Sequence, residues 1–257
     1  MSARAKAAAR LRNVGLQYLL TLEPVIRLAN RCLRRLTATG HKLEYLMDWG
    51  GARKPPEWFD HLTDQYWKWR HTRNPMSWER GVFAALAIPQ GCRLLDLCCG
   101  GGFFDYHFYS SRASQIVAVD FDLKAIAHAE EHFKAPNIQF VCADIRTHMP
   151  LGDFDTIIWN AAIEHFTQAE IASLLQMVRA RMRRGGILTG YTIVERDTGK
   201  AHPDHEYEFK SKDDLAAVLR PFFSNVTILE TKWKDQFEER ENLYFFASDG
   251  PLPIRAP

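Results

Sequence analysis

The chain has 257 residues, 46% of them apolar, with 16 Phe, 8 Tyr and 7 Trp, enough for a substantial core and incompatible with disorder over most of its length. Its five cysteines, at 32, 92, 98, 99 and 142, are odd in number and lack Cys-x-x-Cys spacing, which excludes a small disulfide scaffold and points to reduced thiols in a cytoplasmic protein. The net charge of +2 conceals an asymmetry: residues 1–40 hold eight Lys or Arg against the single acid Glu23, about +7, leaving about −5 for the remainder.

In the amino-terminal region no stretch supplies the roughly 18 uncharged apolar residues of a membrane span, because Glu23, Pro24 and Arg27 interrupt the best candidate, 14–36. The apolar run 16–22 is short and lacks a small-residue cleavage pattern, so no secretory signal is expected there. Val25, Ile26, Leu28, Ala29, Cys32, Leu33 and Leu36 fall within roughly 160° of arc at helical spacing, with Arg27, Arg31, Arg34 and Arg35 opposite. This predicts a basic amphipathic helix over 25–36. Such a helix either packs on its own domain with a solvated Arg face or makes peripheral contact with an anionic membrane or a lipid-bearing substrate.

Gly-Gly-Ala-Arg-Lys-Pro-Pro at 50–56 breaks the chain and opens a second helix. Trp58, Phe59, Leu62, Tyr66 and Trp69 form one stripe along it, while Trp67, beside Arg70, lies off that stripe as a candidate for a substrate lid. The helical extension is thus expected over 1–77 and the main domain over 78–257. After a short helix at 78–86, strands are expected at 93–97, 115–120, 138–142, 154–160, 186–194, 226–231 and 242–248. Helices are expected at 102–111, 123–133, 168–183 and 212–222. Short apolar strands spaced by helices predict an α/β fold, a Rossmann-like, doubly wound, mostly parallel seven-stranded sheet. No helix separates the last two strands, so they are expected as an antiparallel pair at the sheet edge.

Leu94-Leu95-Asp96-Leu97-Cys98-Cys99-Gly100-Gly101-Gly102 is an apolar strand running into a glycine turn before a helix, an arrangement that brings backbone amides against a bound group. Asp105 stands where a dinucleotide fingerprint needs a third Gly or Ala, and the Gly-Lys-Ser/Thr of a phosphate-binding loop is absent. Asp120 closes the second strand about twenty residues past the turn, where it can accept from ribose hydroxyls. Asp144, followed by Ile145, closes the third strand within reach of an adenine amine. Asn160 ends the fourth, followed by Glu164 and His165. His202, His205, Glu206 and Tyr207 follow the fifth strand and could cover a pocket at that end. His-x-x-His without a helix and a third ligand does not make a metal site, and no metal is expected.

Over residues 78–248 these features resemble the class I methyltransferases that use S-adenosylmethionine. The resemblance implies that Asp96, Gly100 and Gly102 match the Asp-x-Gly-x-Gly-x-Gly pattern around the methionine part of S-adenosylmethionine. It likewise implies that Asp120 is the ribose acid, that Asp144 and Ile145 are adenine contacts, and that Asn160 lies beside the cofactor. Cys98 departs from the pattern at the first Gly; a Cys-Cys-Gly variant is familiar among these enzymes, including quinone-methylating ones. The family chemistry implies in-line methyl transfer, with His165 as base or orienting group for the acceptor and Glu164 and His205 beside it. A small-molecule, sugar or lipid-linked acceptor and O-methylation are expected. An Asp/Asn-Pro-Pro-aromatic motif is replaced by Asn160-Ala161-Ala162-Ile163, so nucleic acid is the less favoured partner, although the basic arm keeps RNA in view. The alternative from another class is a catalytically silent subunit that retains the cofactor fold.

Overall fold

The computed structural model of the chain describes residues 23–48, 75–197, 199–234 and 239–254. The chain divides into two compact units, residues 1–56 and 57–257. The expected Trp-rich helix, with Trp67, and the first dozen residues lie outside the described residues.

Among the described residues of the first unit, the helix α1 (Glu23–Asp48) runs well past the expected end at residue 36. Val25, Leu28, Leu33, Leu36 and Leu43 are all exposed along it. Among the described residues no helix is long and apolar enough to cross a membrane.

The second unit opens with α2 (Met76–Leu86), entered through Pro75, which needs no amide donor at a helix start. Seven strands follow: β1 (Arg93–Leu97), β2 (Gln115–Asp120), β3 (Ile138–Cys142), β4 (Phe154–Asn160), β5 (Met182–Ile193), β6 (Asn225–Lys234) and β7 (Glu239–Ser248). Between them lie α3 (Leu123–His132), α4 (Gln168–Arg181) and α5 (Lys212–Leu219). The sheet order is β3-β2-β1-β4-β5-β7-β6, with β1 to β5 parallel to their neighbours and β7 antiparallel to both β5 and β6. The expected antiparallel pair therefore forms, with the reversed strand one place in from the edge. Helices α3, α4 and α5 each start where a polar side chain replaces a missing backbone acceptor: Asp122 accepts from Lys124 N–H, Ser211 from Asp214 N–H, and Thr167 forms a reciprocal box with Glu170.

Alternation along the strands builds two apolar layers. Leu95, Leu97, Val117, Val119, Ile157 and Trp159 face Leu174, Leu175 and Val178 of α4 and Leu215 and Leu219 of α5. Leu94, Ile116, Ala118 and Ile158 face Ala84 of α2 and Phe103, Phe104 and Tyr109 beyond the glycine turn. Each such fully buried Leu, Ile or Val contributes about 1.5–3 kcal/mol, so the strand pattern is strongly enforced. By the same alternation Asp96 shares the face of Leu94. Toward the β6 edge of that face, Glu79 ties α2 down by accepting from Thr231 and Trp233 of β6 and Tyr244 of β7.

The helix expected at 102–111 is where the fold departs most from the sequence reading. Its central turn, Asp105–Tyr109, is widened, with Ser110 N–H bonded to Asp105 C=O five residues back. Burying Phe103, Phe104, Asp105 and Tyr109 together takes one residue more per turn than an α-helix supplies. Strands β5, β6 and β7 also begin earlier or run longer than expected, and α5 stops at Leu219.

Candidate active site

The carboxyl ends of β1, β2 and β4 meet around the glycine turn. Cys98 takes φ 59°, the left-handed region, at the position where the family pattern has glycine; its Cβ costs on the order of 1 kcal/mol there. Gly102 tolerates no such exchange. With φ +78° it sits so close to α3 and β3 that a Cβ would lie 2.7 Å from the Phe140 ring and 2.9 Å from the Ala129 methyl. Burial pushes the thiols of Cys98 and Cys99 well up, so both stay protonated and neither is a nucleophile.

Asp120 is the hinge of this end. One carboxylate oxygen accepts Gly100 N–H at 2.9 Å and the other accepts Asp122 N–H at 2.9 Å. Burial raises this acid, while those two N–H bonds pull it back down. Each oxygen keeps a lone pair, which is the acceptor geometry that a vicinal diol needs. Asp96 and Asp105 are also buried, and neither oxygen of Asp105 has a hydrogen-bond donor among the described residues. Three acids around a glycine turn, one of them an orphaned carboxyl, suit a ligand with a ribose and a positive charge, as S-adenosylmethionine has. Asn160 donates to the Tyr109 hydroxyl at 2.9 Å and thereby joins β4 to the wide turn.

The adenine side differs in detail from the expectation. Asp144 is held by Arg146 in a fork, with contacts of 2.7–3.0 Å, and this pairing keeps its carboxyl below the usual range. Ile145 places its side chain in the core, leaving only its backbone to meet a base. The sequence reading missed Phe121 and Leu123, which flank Asp122 with their apolar side chains 74% and 69% exposed; a large apolar residue directly after the ribose acid was the available signal.

Past the end of β4 the structure brings His165, Glu164 and His205 together. A short 3-10 turn, Ile163–His165, follows Ala161, which also takes a positive φ of 51°. Glu164 is buried; it accepts from the Thr192 hydroxyl at 3.0 Å, and its backbone carbonyl receives the N–H groups of Glu206 and Tyr207. Burial raises its carboxyl, while the charges of His205 and His165 oppose the shift. The rings of His165 and His205 meet edge to face at 4.8 Å. His205 is buried, with Nδ1 bonded to Glu208. Glu208 also accepts the N–H groups of Ala201 and His202; the sequence reading passed over it. His165 is the half-buried member. Its Nδ1 lies 3.2 Å from the Asp204 carbonyl, which can only accept, so Nδ1 carries the proton and Nε2 the lone pair. Among the described residues no three His, Cys, Asp or Glu are grouped to hold a metal ion.

Comparison with known proteins adds to this geometry. Residues 94–186 match the methyltransferase domain family. An uncharacterized methyltransferase of Synechocystis sp. is 32% identical over 104 residues, which are 40% of this chain and 47% of that protein. The chain thus spans about half the length of the first curated relatives it matches. A tRNA U34 carboxymethyltransferase of Haemophilus influenzae is 24% identical over 226 residues, 80% of this chain and 68% of that one. Among solved structures, the N-methyltransferase NodS of Bradyrhizobium japonicum with S-adenosyl-L-homocysteine superposes with a TM-score of 0.54 at 17% identity, covering 70% of this chain and 91% of NodS. Residues 94–186 are thus similar to the methyltransferase domain family, and the seven strands built around them share the fold of NodS.

Proposed function

We propose that this chain transfers a methyl group from S-adenosylmethionine to a hydroxyl of a small-molecule, sugar or lipid-linked acceptor in the cytoplasm. The observation that carries the choice of a hydroxyl is the tautomer of His165. Its Nδ1–H is committed to the Asp204 carbonyl, and a basic Nε2 remains at the carboxyl end of β4. A hydroxyl acceptor must lose its proton as the methyl group arrives, and a fixed imidazole is the usual receiver. When bound, S-adenosylmethionine supplies the electrophilic methyl on a sulfonium.

The chain's own residues do the rest. Asp120 holds the ribose hydroxyls, while Gly100 and Gly102 let the backbone approach the amino-acid end. Phe121 and Leu123 offer apolar surface to the base. Asp96 faces the charged end. Nε2 of His165 takes the acceptor proton, and the buried Glu164, which interacts with the charges of His165 and His205, supplies a counter-charge to the imidazolium. Glu208 and His205 fix the segment 201–208 over this side. The exposed apolar stripe of α1, set against Arg27, Arg31, Arg34 and Arg35, is suited to the surface of an anionic membrane and so to a lipid-borne acceptor.

The test is label transfer from radiolabelled S-adenosylmethionine to a panel of hydroxylated small molecules, glycosides, lipid-linked acceptors and RNA. Label on a hydroxyl, lost in His165→Ala, is expected. A second reading, transfer to RNA, is favoured by the tRNA-modifying relative that matches 80% of this chain and by the basic arm; label in RNA alone replaces the first reading with it. Cofactor binding without turnover on any acceptor supports the silent-subunit alternative.

A further inference from the structure

Asp105 has no part in the scheme above, and its surroundings are unusual. It lies in the widened turn beyond Gly102, with its side chain 0% exposed. Asp96, on the facing strand β1, is 4% exposed. The charge of Asp105 acts on Asp96 across this dry space, and two buried carboxylates facing each other with no donor on Asp105 cannot both be ionised, so the pair retains a proton. Among the described residues no N–H or O–H satisfies either oxygen of Asp105. Fully buried polar groups without a donor are rare, because each costs about 1–3 kcal/mol.

The groups facing the pair come from five elements. From α2 comes the Arg80 guanidinium, 4.4 Å from the Phe104 ring centre and 5.9 Å from that of Tyr191 on β5. From β2 comes Asp120, and from the glycine turn the Cys99 thiol. From the widened turn itself comes the Tyr109 hydroxyl, whose oxygen accepts from Asn160 of β4. Among the described residues one cation, Arg80, thus faces three acids. Burial is the main cause that raises both members of the pair, with Asp105 pushed up to about 7 and Asp96 raised further by Asp105 and Asp120 against the pull of Arg80.

We propose that Asp105 is a positioning residue acting through Asp96, and that the pair gives up its shared proton when the α-ammonium group of S-adenosylmethionine docks on Asp96. This rests on the methyltransferase reading and extends it to how the amino-acid end is received. The exchange balances: one carboxyl O–H bond breaks, its proton leaves to solvent, and the ammonium keeps its three N–H donors, which take up the acceptor capacity set free. Without the ligand's ammonium the pair holds its proton and carries a single negative charge; with it, both carboxylates are anionic. The affinity for the ammonium-bearing ligand must then rise with pH up to the range in which the empty pair titrates, and level off above it.

The experiment is calorimetry on the full chain at pH 6 and pH 8, each in two buffers of different ionisation enthalpy. S-adenosylhomocysteine is the probe, and 5′-methylthioadenosine, which lacks the amino-acid end, is the control. Expected are about tenfold tighter binding of S-adenosylhomocysteine at pH 8 than at pH 6 and release of close to one proton at pH 6. The control should bind with neither effect. Asp105→Asn, whose amide donates to an ionised Asp96 without a proton to lose, should bind S-adenosylhomocysteine with no pH slope. Overturning results are a wild-type chain that releases no proton, a slope shared equally by the control, or a slope that survives in Asp105→Asn. The wild-type measurement decides alone if the variant does not fold. Failure of both nucleosides to bind at either pH overturns the methyltransferase reading itself.

Discussion

Replacing Asp120 by Asn tests the cofactor assignment with a change of one atom and one charge. The carboxylate accepts Gly100 N–H on one oxygen and Asp122 N–H on the other, both at 2.9 Å. An Asn offers one oxygen and one NH2, so whichever way it turns, a backbone N–H meets a donor. The hydrogen bonds expected from two ribose hydroxyls are charge-assisted, worth about 1.5–3 kcal/mol each, against about 0.5–1.5 kcal/mol for a neutral one. One is weakened to the neutral value and the other loses its acceptor, a total of about 2–4 kcal/mol. Affinity for S-adenosylhomocysteine should fall roughly 30- to 1,000-fold. Calorimetry gives the affinity, and a thermal melt followed by circular dichroism establishes that the variant is folded. A folded Asp120→Asn that binds within about threefold of the parent removes Asp120 from the ribose site; NAD in the same titration should give no heat.

His165→Ala should lower turnover by at least about a hundredfold while leaving S-adenosylhomocysteine affinity within roughly threefold; near-normal turnover in His165→Gln would mean that the ring orients the acceptor and does not take its proton. The full chain should co-sediment with vesicles containing anionic lipid and release with added salt, and Leu28→Glu with Leu36→Glu should abolish it; equal binding to neutral vesicles refutes the electrostatic account. Stability of the ligand-free chain should fall as pH rises from 5 to 8, because Asp96, Asp105 and Glu164 have folded values raised above their unfolded ones, so their contribution is full below about 4 and is lost as pH passes through the raised range. Asp105→Asn should flatten that fall in a series of thermal melts, and an unchanged slope refutes the assignment.

The strands were legible because each carries a short apolar run with a polar stop. Leu94, Leu95 and Leu97 around Asp96, and Ile116 to Val119 before Asp120, stand out whatever the tertiary context, and these two acids lie where the sequence reading put them. Asp105 was visible only as a residue that spoiled a dinucleotide motif. Its partnership with Asp96 depends on a widened turn, which leaves no trace in hydrophobic spacing. Glu208 was passed over for a similar reason: alternating charge and aromatics at 204–209 read as a polar loop, and only the folded segment brings its carboxylate under Ala201, His202 and His205. Asp144 was placed at the right strand end, but Arg146, two residues on, claims its carboxylate, and spacing alone does not rank that partner against a ligand. The extent of α1 was underestimated because Thr37, Thr39 and Gly40 are weak helix formers, yet the helix continues through them to Asp48.

The position of β7 in the sheet has a consequence for how the protein comes to be folded. Strands β1 to β5 can assemble in the order in which they are synthesised, each crossover helix closing a local unit. Strand β6 then has nowhere to go, since its only sheet neighbour is β7, and β7 in turn is the only strand that joins it to β5. The free edge of β5, with Leu188, Tyr191 and Ile193 destined for the interior, therefore stays open until the last strand leaves the ribosome. Closing it takes an insertion between two waiting partners, a step of high contact order that is slow and leaves an unpaired edge exposed meanwhile. Nascent chains stalled before residue 239 are thus expected to hold a half-built sheet, and it is in those chains, more than in the finished protein, that chaperone capture and edge-to-edge aggregation should be found.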